Sequence, residues 1–97
     1  MEQAQGKRRQ IDLRKLLKAK YGITLEDFHK WAEEQGGLCA ICRHPPNGRR
    51  LSVDHDHSTG RIRGLLCHNC NSMLGLARDR PAVLQAAIEY LKGGRNF

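Results

Sequence analysis

Apolar positions recur at helical intervals near the start of the chain, with Lys and Arg residues between them. The apolar positions are Ile11, Leu13, Leu16, Leu17 and Tyr21. They predict an amphipathic, basic helix over residues 7–22 that ends near Gly22. Its charged face is either solvated or lies along a phosphate backbone, and the pattern favours neither. Residues 1–6 have no apolar periodicity, so we expect them to be disordered.

A second amphipathic helix is predicted between Thr24 and Gly36. Thr24 can accept a hydrogen bond from the free amide of Asp27, as residues that cap helices do. The apolar face of this helix consists of Leu25, Phe28, Trp31 and Ala32. His29 lies on the same helix, away in sequence from every other candidate ligand. It is therefore predicted to be a surface residue.

Two short strands are predicted in the middle of the chain. Residues 51–53 alternate apolar and polar side chains and lead directly into Asp54. Residues 61–66 begin with alternating basic and apolar side chains. The turn-forming run Ser58-Thr59-Gly60 separates the two segments, so they should pair as an antiparallel hairpin.

Two further helices are predicted after the hairpin. The first runs from Cys67 to about Arg78, and the second begins at Asp79-Arg80-Pro81, where proline is tolerated in the first turn. The apolar face of the second helix consists of Leu84, Ala87, Ile88 and Leu91. We expect this face to pack on its own subunit, as in a monomer, and a small homodimer is the alternative.

The charge of the chain is positive and unevenly distributed. Its 97 residues carry 17 Lys and Arg against 10 Asp and Glu, a net charge of +7. Residues 1–20 and 43–97 each carry +5, whereas residues 21–42 carry −3. This balance indicates a polyanionic partner, most simply nucleic acid. Because no signal peptide or stretch of 18 apolar residues is present, we expect no membrane association and a cytoplasmic location.

Two Cys-x-x-Cys pairs predict a structural zinc site. Cys39, Cys42, Cys67 and Cys70 provide four thiolates, the complete tetrahedral ligand set of Zn²⁺. In a reducing compartment, closely spaced pairs favour zinc over disulfides. The chain has only five Phe, Trp and Tyr residues, so its core should be thin. Zinc would supply stability that hydrophobic burial does not.

The run Asp54-His55-Asp56-His57 lies between the two cysteine pairs. In an extended strand its carboxylates project to one side and its imidazoles to the other. The run is either a solvated turn or a site where a carboxylate binds a hard cation such as Mg²⁺ and a neutral imidazole takes a proton from water. Asn71 lies one helical turn beyond Cys67. The spacing leaves open whether Asn71 caps a backbone amide or binds a metal.

Four motifs together resemble the phage recombination endonuclease VII family, a zinc-containing branch of the His-Me finger (HNH) nucleases. They are Cys39-x-x-Cys42, Val53-Asp54-His55-Asp56-His57, Gly60-Arg61-Ile62-Arg63-Gly64-Leu65-Leu66 and Cys67-x-x-Cys70-Asn71. The resemblance covers roughly residues 21–91. It implies a small α+β fold of the ββα-metal type over residues 23–97, stapled by the four-cysteine zinc site and flanked by helices at both ends.

The same resemblance implies roles for individual residues. His55 would be the general base, Asp54 and Asn71 would bind one catalytic Mg²⁺ or Mn²⁺, and His57 would contact the scissile phosphate. Cleavage would leave 5′-phosphate and 3′-hydroxyl ends.

These observations lead to the hypothesis of a phage-encoded, metal-dependent DNA endonuclease that acts in the bacterial host. It would nick or cut both strands with low sequence specificity, and branched DNA is among its candidate substrates. Basic side chains would hold the phosphates without reading the sequence. They are Arg49, Arg50, Arg61, Arg63, Arg14, Lys15 and Lys18. The alternative is a non-catalytic, zinc-stabilised module that binds nucleic acid.

Overall fold

The computed structural model describes residues 12–93, which form four helices and one two-stranded sheet. In chain order the elements are α1 (Leu13–Tyr21), α2 (Leu25–Glu34), β1 (Ser52–His55), β2 (Ile62–Leu66), α3 (His68–Leu76) and α4 (Pro81–Leu91). This arrangement confirms the small α+β fold class. The predictions for residues 1–6 and for the basic helix before Asp12 lie outside the described residues.

Helix α1 begins and ends at residues that satisfy free backbone groups. The Asp12 carboxylate accepts a hydrogen bond from the Lys15 amide at 3.3 Å. Gly22 ends the helix in the left-handed conformation, with φ of 70°, which glycine adopts without a Cβ clash. Leu17 is the buried residue of this helix.

Helix α2 begins with a capping box. The Thr24 hydroxyl accepts from the Asp27 amide at 3.0 Å, and the Asp27 carboxylate accepts from the Thr24 amide at 3.1 Å. Two amides that a helix start leaves free are thereby satisfied. Phe28 is buried in the core, whereas His29 is exposed, as predicted. The helix ends before Gly36, whose φ of 69° turns the chain toward the first cysteine pair.

Strands β1 and β2 form the predicted antiparallel hairpin, with a bulge at its centre. Asp54 pairs with Gly64, but the next residue, His55, pairs with Ile62. Arg63 is therefore an extra residue on β2. Bulges of this kind bend a strand and redirect a side chain.

Helix α3 begins at the second cysteine pair and packs against both strands. Cys67 is its N-cap residue, and the Cys67 sulfur lies 3.4 Å from the Cys70 amide nitrogen. After α3, Arg78 and Asp79 both adopt the left-handed conformation, with φ of 56° and 54°. The chain then enters α4 with Pro81 at its first position, as predicted.

The prediction that the apolar face of α4 packs on the same subunit is wrong for the described residues. Tyr90 is 69% exposed and Leu91 81%, and Val83 and Ile88 are each more than two-fifths exposed. Helical periodicity shows which residues share a face, but it does not show what covers that face. The core is built from the hairpin and the other helices, so α4 remains outside it.

The core lies between the hairpin and helices α1 to α3, and two of the four cysteines are part of it. Its buried members are Leu17, Ile23, Phe28, Cys39, Leu51, Val53, Leu65, Leu66 and Cys70. Phe28 is the one aromatic side chain among them. Within residues 12–93, every helix is too short or too polar to cross a bilayer.

The Gln35 side chain connects the end of α2 to the hairpin through hydrogen bonds. Its amide nitrogen donates to the Leu38 carbonyl at 2.8 Å and to the Leu65 carbonyl at 3.0 Å. Its amide oxygen accepts from the Leu65 amide at 3.0 Å. Because Leu65 is fully buried, this side chain satisfies backbone groups that water cannot easily reach.

Replacing Gln35 with Ala should lower the free energy of unfolding by about 2 kcal/mol, because the buried Leu65 amide loses its partner. The Leu65 carbonyl keeps its hydrogen bond from the Ala40 amide at 3.1 Å. Urea unfolding of the zinc-loaded protein, followed by circular dichroism, measures the change. Glu34→Ala is the matched control, since Glu34 is an exposed neighbour on the same helix. A loss no larger than that of the control would show that the Gln35 contacts contribute little.

Candidate functional site

The sulfur atoms of Cys39, Cys42, Cys67 and Cys70 form one cluster between the first cysteine loop and α3. All four lie within 4.8 Å of one another, and the Cys42 and Cys67 sulfurs are 3.9 Å apart. A zinc ion with Zn–S bonds of about 2.3 Å separates its sulfur ligands by about 3.8 Å. A disulfide requires about 2.0 Å, and all four cysteines are free. The cluster therefore has the size of a tetrahedral zinc site, with no coordination position left for a substrate.

Hydrogen bonds and burial act differently on the thiols of this cluster. The Ile41 amide donates to the Cys39 sulfur at 3.4 Å. Burial opposes a charge on Cys39, but the surrounding backbone amides outweigh it and lower the pKa of Cys39 to about 6. Burial raises the pKa of the Cys70 thiol to about 12. A bound dication would favour the thiolate form of Cys70 as well.

Asp54 is the buried acidic residue of the Asp-His-Asp-His run, with 9% of its surface exposed. The bulge residue Arg63 binds it through two hydrogen bonds. Arg63 Nε lies 2.8 Å from Asp54 Oδ2, and Arg63 Nη2 lies 3.1 Å from Asp54 Oδ1. Nη2 also lies 3.3 Å from Asp79 Oδ2. The hydrogen bonds to Asp54 are the main cause of a raised pKa at Arg63, so its guanidinium is permanently charged.

The two histidines of the run lie on the same side of the hairpin, as expected for alternate residues. The ring centroids of His55 and His57 are 4.7 Å apart. The rings of Tyr21, at the end of α1, and His55 meet in an edge arrangement, with centroids 5.6 Å apart and planes at 60°. His55 is half-buried and contacts both of these rings, whereas His57 is exposed.

Asp56 has a different role from Asp54, because it holds the turn of the hairpin. Its Oδ1 accepts from the Ser58 amide at 2.7 Å and from the Thr59 amide at 3.3 Å. These hydrogen bonds lower the pKa of Asp56 below its ordinary value. The carboxylate is thus ionised and committed to local backbone groups.

Asn71, on α3, lines a cleft of about 590 Å³ beside β1. Ser52 and Val53, the two residues before Asp54, line the same cleft. Gly75, one turn after Asn71, lines the neighbouring cleft with His57 and Arg63. Asn71 and Gly75 thus each line a cleft with residues of the hairpin, in keeping with the packing of α3 on both strands.

The predicted phosphate-binding residues occupy several different environments. Arg49 and Arg50 line the cleft that contains Asn71. Arg61 is exposed at the turn, and Arg63 pairs with carboxylates as described. Arg14 bonds both carboxylate oxygens of Glu26 at 3.2 Å.

The basic helix α1 presents its charges to two grooves. Arg14, Lys15 and Lys18 line a groove with Ile23 and Thr24. Lys20, by contrast, lines the Asn71 cleft together with Tyr21. None of the described residues that line the Asn71 cleft is acidic. The residues Arg49, Arg50 and Lys20 therefore give it a uniformly positive rim.

A protein-family model described as recombination endonuclease VII matches residues 14–93, which include all four cysteines, both strands and the helices apart from Leu13, the first residue of α1. The chain belongs to the recombination endonuclease VII family. It is 56% identical over 77 residues to the Gene 59 protein of Mycobacterium phage D29, covering 76% of this chain and 46% of that protein. It is 54% identical over 76 residues to the Gene 59 protein of Mycobacterium phage L5, covering 75% and 46%.

This chain therefore spans about half the length of the curated relatives that it matches. No solved structure matches it significantly. The assignment to the family therefore rests on sequence, and the site geometry given above is that of this chain itself.

Three residues that line or contact the candidate site were not predicted as site residues from the sequence. The sequence pattern identifies Tyr21 only as an apolar position of the first helix, and Asp79 only as part of a helix start. Lys20 is not among the predicted phosphate-binding residues. The missing information was tertiary, because each residue meets the site from a different element.

Removing zinc should unfold this endonuclease VII domain, because Cys39 and Cys70 belong to the core and the four thiols would then lack their common partner. The helical circular dichroism signal should fall on treatment with a strong zinc chelator and return when zinc is added. Mg²⁺ added alone after dialysis is the control and should not restore it, because thiolates are poor ligands for a hard cation. An unchanged spectrum of zinc-free protein would show that burial alone maintains the fold.

Proposed function

We propose that this chain is a metal-dependent DNA endonuclease domain with a structural zinc ion and one catalytic Mg²⁺ or Mn²⁺. The observation that carries the proposal is His55, a half-buried imidazole in contact with the Tyr21 and His57 rings, directly after the buried carboxylate of Asp54. Membership of the recombination endonuclease VII family supports DNA as the substrate and hydrolysis of phosphodiester bonds as the reaction. The phage relatives support action in the cytoplasm of a bacterial host.

The donor atoms of Asp54 and Asn71 are of the type that suits a hard cation. Asp54 offers carboxylate oxygens and Asn71 offers an amide oxygen, the ligand types that Mg²⁺ and Mn²⁺ prefer. Arg63 uses one hydrogen-bonding direction on each Asp54 oxygen, and a carboxylate oxygen has two. Asp54 can therefore keep its ion pair and still bind a cation. The cation would polarise the phosphate and stabilise the charge on the leaving oxygen.

His55 would act as the general base. Its imidazole accepts a proton from a water molecule whose oxygen forms a bond to phosphorus, while the bond between phosphorus and the 3′ oxygen breaks. The leaving oxygen takes a proton from solvent, and the products are a 5′-phosphate and a 3′-hydroxyl. The contacts with Tyr21 and His57 restrict the His55 ring, so less rotational freedom is lost when it meets its water.

The remaining predicted residues would position the DNA. His57 is exposed beside His55 and can donate a hydrogen bond to the scissile phosphate. The positive rim of Arg49, Arg50 and Lys20 can hold neighbouring phosphates of the same strand. Such contacts are independent of base identity, so low sequence specificity is expected. Arg61, Arg14, Lys15 and Lys18 would add contacts outside the cleft.

The second candidate function is a non-catalytic, zinc-stabilised module that binds nucleic acid. One observation favours it, namely that Arg63 already neutralises Asp54 through two hydrogen bonds. In that case Asp54 and Arg63 would form a structural ion pair, and the basic cleft would bind phosphates without cutting them.

Replacing His55 with Ala should abolish nicking of supercoiled plasmid in the presence of Mg²⁺ or Mn²⁺, with a rate loss of at least about 100-fold, because the attacking water loses its base. Zinc content and DNA binding, measured by elemental analysis and gel retardation, should be unchanged. His29→Ala is the matched control, since His29 is an exposed histidine on α2.

Two results would count against the enzyme. Wild-type protein that retards the plasmid but leaves it intact with every divalent metal would support the binding module instead. A His55→Ala variant that cuts as fast as wild type would remove His55 from the mechanism.

A further inference from the structure

We propose that Asp79 is a positioning residue for the proposed cation site, which it serves by sharing the Arg63 guanidinium with Asp54. The inference rests on the proposed function, because it concerns the carboxylate that would bind the catalytic cation. Asp79 touches neither the substrate nor the cation in this account. It acts entirely through Arg63.

Arg63 reaches Asp54 because of its position on the hairpin. Without a bulge, alternate residues of β2 would face opposite sides of the sheet, so Arg63 would face away from Gly64 and its partner Asp54. As the extra residue of the bulge, Arg63 instead places its guanidinium against both Asp54 oxygens. The bulge therefore serves this contact.

The combined charge of Asp54, Arg63 and Asp79 favours a divalent cation. Asp54 and Arg63 alone form a neutral pair, and a neutral pair attracts a dication weakly. Asp79 Oδ2 lies 3.3 Å from Nη2 of Arg63, the same nitrogen that binds Asp54 Oδ1 at 3.1 Å. The Arg63 guanidinium is thus shared by two carboxylates, and the three side chains together carry a charge of −1. The surplus negative charge can be balanced by a divalent cation at Asp54.

The backbone that carries Asp79 adopts an unusual conformation. Arg78 and Asp79 are consecutive left-handed residues, with φ of 56° and 54°, and neither is glycine. Residues other than glycine are strained in the left-handed conformation, although Asp and Asn tolerate it best. The Asp79 amide donates to the Leu74 carbonyl at 2.9 Å, which ties this turn to α3. Glycine would adopt this conformation without strain. We therefore infer that Asp79 is present for its carboxylate, which the turn brings to Arg63.

The test compares cation affinity with catalytic rate in Asp79→Asn. Asparagine has the same size and also tolerates the left-handed conformation, so the turn should persist. We expect Mn²⁺ binding, measured by electron paramagnetic resonance on zinc-loaded protein without DNA, to weaken about fivefold to tenfold. The plasmid-nicking rate at saturating Mn²⁺ should stay within about twofold of wild type, because the reacting groups are unchanged.

Three further variants separate charge from backbone effects. Asp79→Gly removes the carboxylate and relieves the left-handed strain, and it should weaken Mn²⁺ binding as much as Asp79→Asn. Glu89→Gln removes one carboxylate from the exposed surface of α4, and it should leave the affinity unchanged. Asp54→Asn should abolish binding at this site, which identifies the measured ion.

The outcomes are distinguishable. If Asp79→Asn binds Mn²⁺ as tightly as wild type while Asp54→Asn does not bind it, Asp79 only shapes the turn and the inference is overturned. If Glu89→Gln weakens binding as much as Asp79→Asn, the effect is general surface charge and the inference is also overturned. If Asp54→Asn itself binds Mn²⁺ normally, the cation site of the proposed function fails, and this inference fails with it.

Discussion

The convergence of four sulfur atoms is the constraint on which the other features of this molecule depend. The core is small, with Phe28 as its one buried aromatic side chain among the described residues, and two of its members are cysteines of the cluster. The cluster joins the loop after α2 to the start of α3. Because Cys67 is the N-cap residue of α3 and Cys70 lies in its first turn, the cluster also influences where Asn71 and Gly75 lie relative to the hairpin. The four proposed zinc ligands thereby influence the geometry of the proposed Mg²⁺ or Mn²⁺ site.

One hairpin places four adjacent polar residues in four different environments. Asp54 is buried and paired with Arg63, His55 is packed between two rings, Asp56 holds the turn, and His57 is exposed. The difference between the two aspartates arises from backbone geometry, since both have the same chemistry. Asp56 lies where the turn amides converge, whereas Asp54 lies opposite the bulge.

The sequence predicted the elements of this fold well, because each has a local signal. Thr24 and Asp27 mark a capping box, Gly22 marks a helix end, and the cysteine spacing indicates one tetrahedral site. The prediction for α4 failed because periodicity identifies an apolar face but not its cover. The Arg63 contacts were missed for a related reason: a strand pattern assumes strict alternation, and a bulge breaks it. Arg63 was expected to hold phosphate, and its ion pairs with Asp54 and Asp79 depend on tertiary structure.

The most direct test is whether zinc at the four cysteines controls activity at the proposed catalytic site. Zinc is removed by a chelator, the chelator is dialysed away, and nicking of supercoiled plasmid is measured with Mg²⁺ in excess, before and after zinc is returned. The account predicts no nicking by zinc-free protein and recovery with zinc, because Asn71 is oriented by the helix that begins at the cluster. Undiminished nicking by zinc-free protein would contradict it.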